Sequence, residues 1–208
     1  MYRLYYYPSN ASLAPHMLLE ELGQPYELEL IDRGVAAHKS AEYMRLNPQG
    51  LIPTLIDGDL VLWETSAILL HIADRAGFAP ELGSAERAQY YKWLVHLSNT
   101  IQTEYLVYYY PERHADDAAG AAIVKAHAEA HLTERFARID AQLGDGPYLL
   151  GERLSAADFL LLVLVRWGRG MTRKPRDLSN IGRHTQRMLE RPAVIRAFER
   201  EKLPQPWA

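Results

Sequence analysis

NPQGLIPTLIDGDLVLWET, Asn47 to Thr65, is the stretch whose reading decides the fold. Asn47-Pro48-Gln49-Gly50 is a cluster of turn-forming residues that stops any helix running into it. Thr54 to Ile56 and Leu60 to Trp63 are short apolar runs on either side of Asp57-Gly58-Asp59. An Asp-Gly pair marks a tight hairpin, because such turns need positive φ, so two antiparallel strands are predicted. Pro53 has no N–H to give to a ladder and stands at the start of the first strand.

Upstream, Ser40 is placed to cap a short helix that runs to Leu46. Arg3 to Tyr7 and Tyr26 to Ile31 read as strands, separated by a helix from Leu13 to Leu22. Gly23 suits the positive φ that often ends a helix, and Pro25 follows where helix cannot continue. Downstream, Ser66 to Ala76 carries Ile68, Leu69, Ile72 and Ala73 at helical spacing. Residues 1 to 76 therefore read βαβαββα.

Gly77 to Gly83 breaks this pattern, and no strand pattern follows it. One apolar stripe, Tyr90, Leu94, Leu97, Ile101, Tyr105 and Tyr108, predicts a single helix over 85–110 that Pro111 stops or kinks. Further helices are predicted over 117–143, 156–167, 180–190 and 193–200. Ser155 and Asp158 have the spacing of a capping box, with Leu154 and Phe159 at the staple positions, and the pair is read as structural. The expected domains are 1–77 and 84–208.

The 208 residues are 48% hydrophobic and 24% charged with a net charge of −3, which suits a folded chain and offers no basic footprint for nucleic acid or anionic lipid. There is no cysteine, which excludes disulfides, thiolate metal sites and a thiol nucleophile on the protein. Any sulfur chemistry needs a bound thiol. Met1 to Tyr7 lacks the layout of a secretory signal and no apolar run is long enough to span a membrane, so the expectation is cytoplasmic. His127 and His131 are spaced as a metal pair, but no third ligand joins them and a solvated helix face accounts for them; no metal is expected.

Taken together, NPQGLIPTL (Asn47 to Leu55), WETSAILLHIADR (Trp63 to Arg75) and ERLSAADFLLLVL (Glu152 to Leu164) resemble the glutathione transferase superfamily in order and spacing. The opening LYYYPSNASLAPHMLLEELG is similar to that of the bacterial beta class, and its loop also resembles the theta and zeta classes. The resemblance implies an α/β thioredoxin-like N-terminal domain (βαβαββα) plus an all-α C-terminal helical bundle, in a homodimer. It implies glutathione as co-substrate and a small hydrophobic electrophile as its acceptor.

The resemblance also assigns a site. A cis bond before Pro53 is expected, with the Ile52 backbone pairing with glutathione as a strand would. Thr65 and the free N–H groups of its helix suit the γ-glutamyl carboxylate, and Glu64 the ammonium. His38 and Lys39 match a loop that reaches the glycyl carboxylate, while Leu51 stands where a polar ligand is common. For the thiolate, the beta-class cysteine position is occupied by Ala11. Ser12 at the start of the first helix is then the leading donor, with Asn10 beside it and Tyr6 in reserve. Tyr108 to Tyr110 are candidates to line the acceptor pocket. Two other functions fit the same residues: a glutathione-dependent disulfide reductase without a protein cysteine, and a non-catalytic interaction protein.

Overall fold

The computed structural model describes residues 1–207. Its first part is β1 (Tyr2–Tyr6), α1 (Leu13–Glu21), β2 (Tyr26–Leu30), α2 (Ala41–Leu46), β3 (Thr54–Asp57), β4 (Leu60–Trp63) and α3 (Thr65–Arg75). The strands form one sheet in the order β2-β1-β3-β4, with β1 parallel to β2 and the other pairs antiparallel. Gly58 turns the β3–β4 hairpin at a φ of 61° and Gly23 ends α1 at 59°, both where the sequence requires a left-handed residue. This is a thioredoxin-like α/β layer.

The rest is helical: α4 (Ala85–His96), α5 (Thr103–Tyr109), α6 (Ala118–Leu143), α7 (Ala156–Trp167), α8 (Ser179–Leu189) and α9 (Pro192–Arg200). Every residue of α7 from Ala156 to Arg166 is buried, as expected of a helix apolar on all faces at the centre of a bundle. Its start is held by the Asp158 carboxylate, which accepts from Ser155 N and Ser155 Oγ at 2.8 and 2.9 Å and from Leu149 N at 2.8 Å. His184 Nε2 lies 3.0 Å from the same group.

The single helix expected over 85–110 is corrected. Its stripe is buried throughout, but residues 97–102 between α4 and α5 form a π-helical turn. Polar side chains hold carbonyls in and just before this segment: Leu94 O accepts from Ser66 Oγ and Ser98 Oγ, Ser98 O from Thr103 Oγ1, and Thr100 O from Arg135. Hydroxyls that compete for backbone carbonyls in this way bend or widen helices.

α1 packs on α3, α7 and α9, so the sheet layer and the bundle share one continuous apolar core. At its polar margin Glu20 of α1 accepts from Arg196 and Arg200 of α9, at 2.7 and 2.9 Å, and from Tyr26 OH. Burial alone would raise the Glu20 carboxyl, but the hydrogen bonds from Arg196, Tyr26 and Arg200 outweigh it and hold it at about 2. A carboxylate depressed in the fold stabilises it above the ordinary value of 4.5 and loses that contribution as pH falls toward about 2. Urea unfolding followed between those limits is expected to show falling stability, with a shallower slope in Glu20→Gln.

Candidate functional site

The sheet register gathers the expected site at one end. Thr54 of β3 faces Tyr5 of β1 on one side and Trp63 of β4 on the other. Pro53, Glu64 and the loop that follows Tyr6 therefore lie side by side. The Ile52–Pro53 bond is cis, and Ile52 lies just outside the ladder, where its N–H and C=O have no strand partner. Tyr43 of α2 secures this turn by donating to Leu51 O at 2.6 Å, and Asn47 Nδ2 donates to the same oxygen at 2.9 Å.

Glu64 is exposed, with a φ of 75° that costs a non-glycine residue about 1–3 kcal/mol. The first α3 hydrogen bond runs from Ile68 N to Glu64 O, so the N–H groups before it are left without helical partners. Thr65 is buried, yet its hydroxyl makes no hydrogen bond among the described residues. An anion acceptor is thus laid out beside the Ile52 edge.

His38 and Lys39 lie in a 3₁₀ turn, Ala37–Lys39, against the Asn47–Gly50 turn. Lys39 Nζ donates to Gln49 O at 3.1 Å. Gly50 has a φ of 58°, and a Cβ there would meet His38 O at 2.8 Å, so only glycine lets the two turns touch. His38 Nδ1 is buried without a partner among the described residues; burial, with Arg33 and Lys39 nearby, pushes its imidazole below the ordinary value. The Leu51 side chain is exposed and supplies only its carbonyl, to Tyr43 and Asn47.

Three residues are the candidates at the thiolate position: Ser12, Asn10 and Tyr6. Ser12 is fully buried and its hydroxyl lies 3.3 Å from both Tyr7 N and Tyr7 O, so it braces the loop. Tyr6 lies on the side of Glu201 and Arg200: burial and then Glu201 raise its phenol, with Arg200 opposing. Asn10 is half-buried at the start of α1; its Oδ1 accepts from Ala11 N at 2.7 Å, and no described residue accepts from its Nδ2.

Ser9, which the sequence did not single out, is the pivot of this loop, at a φ of 64°. Its N–H donates to Glu201 at 3.0 Å, its C=O accepts from Trp167 Nε1 at 3.0 Å, and its hydroxyl accepts from Arg166. Glu201 also lies 2.8 Å from His16 Nδ1 of α1, with both side chains fully buried. Burial, and then Arg169, push the Arg166 guanidinium down to about 10, with Glu201 opposing. These partners are up to 192 residues away in sequence, and no local pattern announces them.

His127 and His131 are exposed on α6, and among the described residues no group of three possible ligands is close enough to hold a metal. No helix is long and apolar enough to cross a membrane.

Comparison with known proteins identifies the family. Residues 1–74 match the family described as Glutathione S-transferase, N-terminal domain, and residues 96–192 match Glutathione S-transferase, C-terminal domain. Glutathione S-transferase GST-4.5 of Xanthomonas campestris is 30% identical over 206 residues, covering 97% of this chain and 99% of its own. The chain belongs to the glutathione transferase superfamily. Among solved members, the glutathione S-transferase of Xylella fastidiosa is 29% identical with a TM-score of 0.89, covering 98% of this chain and all of its own. A Sulfitobacter glutathione transferase homolog, solved with bound glutathione, is 26% identical with a TM-score of 0.89 over 98% of this chain and 99% of its own. Within this superfamily the chain is assigned to the glutathione transferases as an enzyme.

The Ser9 clamp generates a stability expectation. Glu201→Ala leaves His16 Nδ1 in the core and the Ser9 N–H without their partner, and is expected to lower the unfolding free energy by about 1–3 kcal/mol. The paired variant His16→Leu with Glu201→Leu is expected to recover part of that loss in the same urea titration.

Proposed function

We propose that the protein conjugates the glutathione thiolate to small apolar electrophiles. One observation carries the reading: the unbonded Thr65 hydroxyl and free N–H groups of α3 adjoin the unpaired Ile52 edge, within reach of the loop that opens α1. The γ-glutamyl carboxylate docks at the α3 N-terminus, where the helix dipole favours an anion, and Glu64 takes the ammonium. Ile52 pairs with the peptide backbone of glutathione. His38 and Lys39 reach its glycyl carboxylate, with Leu51 as a nonpolar neighbour.

The sulfur then lies over the start of α1. There the Asn10 amide and the local N–H groups favour the thiolate over the thiol, because each stabilises only the charged form. Ser12 contributes by fixing Tyr7 and hence the path of the loop, and Tyr6 remains a more remote candidate. The acceptor lies against the bundle, on the side of Tyr109 and Tyr110. This reading keeps the division into 1–77 and 84–208, places the protein in the cytoplasm and makes it a homodimer.

Glu64→Ala and Thr65→Ala are each expected to weaken glutathione binding by about 1.5–3 kcal/mol, read by calorimetry on protein that remains folded. Unchanged affinity in both removes the docking scheme. For the sulfur, ultraviolet titration of the bound thiol is expected to give a higher pKa in Asn10→Ala, about 1.4 kcal/mol per unit. Turnover of that variant at neutral pH falls and partly recovers in more alkaline buffer. A larger change in Tyr6→Phe, or in Ser12→Ala without loss of stability, transfers the role to that residue.

A further inference from the structure

Three arginines near the loop that opens α1 and the ends of α5 and α7 lack a carboxylate partner. Arg33, in the segment between β2 and α2, donates from Nη2 to Tyr110 OH at 2.9 Å, and its guanidinium lies 5.9 Å from the centre of the Tyr7 ring. Arg113 sits 4.1 Å from the centre of the Tyr110 ring. Arg169 donates to Arg166 O at 3.0 Å and opposes, more than Arg166 does, the rise that burial gives the Tyr109 phenol. All three are exposed, and none forms an ion pair among the described residues, whereas eleven other arginines do pair with a carboxylate, as at Arg135, Arg153 and Arg191. The one acidic neighbour of Arg33 in sequence, Asp32, turns its carboxylate onto Gly34 N at 2.7 Å.

Arg33 and Arg113 are mounted on aromatic rings, and the rings lead toward the loop that opens α1. Tyr7 precedes Ser9 in the clamped loop, Trp167 donates to Ser9 O, and Tyr109 OH donates to Trp167 O. Tyr109 and Tyr110 close α5 on the bundle side. A guanidinium whose hydrogen-bond partner is a neutral phenol retains most of its charge for a ligand. Flat aromatic walls next to such a cation suit an aromatic ring that carries an anion.

We propose that the acceptor site selects aromatic electrophiles bearing a carboxylate, with Arg33 and Arg113 as the groups that recognise the anion beside Tyr110. This rests on the conjugation reading and narrows its acceptor class. In the reaction a C–S bond forms from the thiolate to the ring carbon, the bond from that carbon to its halide breaks, and the halide leaves with the electron pair. The thiol proton has already passed to solvent.

The test compares 4-chloro-3,5-dinitrobenzoate with the neutral 4-chloro-3,5-dinitrobenzamide, each rate corrected for the uncatalysed reaction with glutathione. The expected kcat/KM preference for the benzoate is at least about tenfold, the lower end for a hydrogen bond to a charged group. Arg33→Met and Arg113→Met are expected to cut that preference severalfold each, with the KM for glutathione held. Equal rates for the two probes overturn the proposal, as does a preference that survives both substitutions. A rise in the glutathione KM of Arg33→Met in place of a lost preference also overturns it, by assigning Arg33 to the tripeptide. Failure of wild-type protein to bind a glutathione resin or to conjugate either probe overturns the conjugation reading itself, and with it this one.

Discussion

Ser9 gives its N–H to Glu201, its carbonyl to Trp167 and its hydroxyl to Arg166, so three side chains of the helical half hold one residue of the sheet half. A loop residue with positive φ would otherwise relax, since the strain is of order 1–3 kcal/mol. Glu201 is able to serve because it is itself fixed by His16 inside the core. Removing any one partner leaves a buried polar group unsatisfied, which is why such a network holds a single geometry. The path of the chain into Asn10 and α1 follows from this constraint.

The order of elements was legible because each rests on local chemistry. Asp57-Gly58 marks the hairpin, Gly23 the end of α1 and Ser40 the cap of α2, whose hydroxyl accepts from Tyr43 N at 3.1 Å. Ile52, Pro53, Glu64 and Thr65 were legible as a group because adjacent strands must bring them to the same sheet end. The burial of the Ser12 hydroxyl was not, since a hydroxyl at a helix start looks the same in sequence whether it faces inward or outward. Here the loop turns it onto Tyr7. The π turn at 97–102 was equally hidden, because Leu94 O just before it and Thr100 O within it are held by Ser66 and Arg135 from other helices.

The boundary between the halves is also more than a linker. Arg87 of α4, almost fully buried, grips Asp74 of α3 with both Nη atoms at 2.6 and 2.8 Å and donates to Pro80 O at 2.9 Å. Arg153 reaches Phe78 O and Glu86 at 3.0 Å. With α1 packed on α3, α7 and α9, the two halves are distinct in topology and joined in their packing.

The separation of Ser9 and Glu201 also has a consequence for how the chain is made. A ribosome delivers the sheet layer long before it delivers residue 201, and domains begin to fold as they emerge, N-terminal first. The Tyr7–Ser12 loop must therefore pass most of synthesis without its carboxylate anchor, and His16 without its partner. The nascent sheet layer is left with an unfinished surface on α1 until the bundle arrives to cover it.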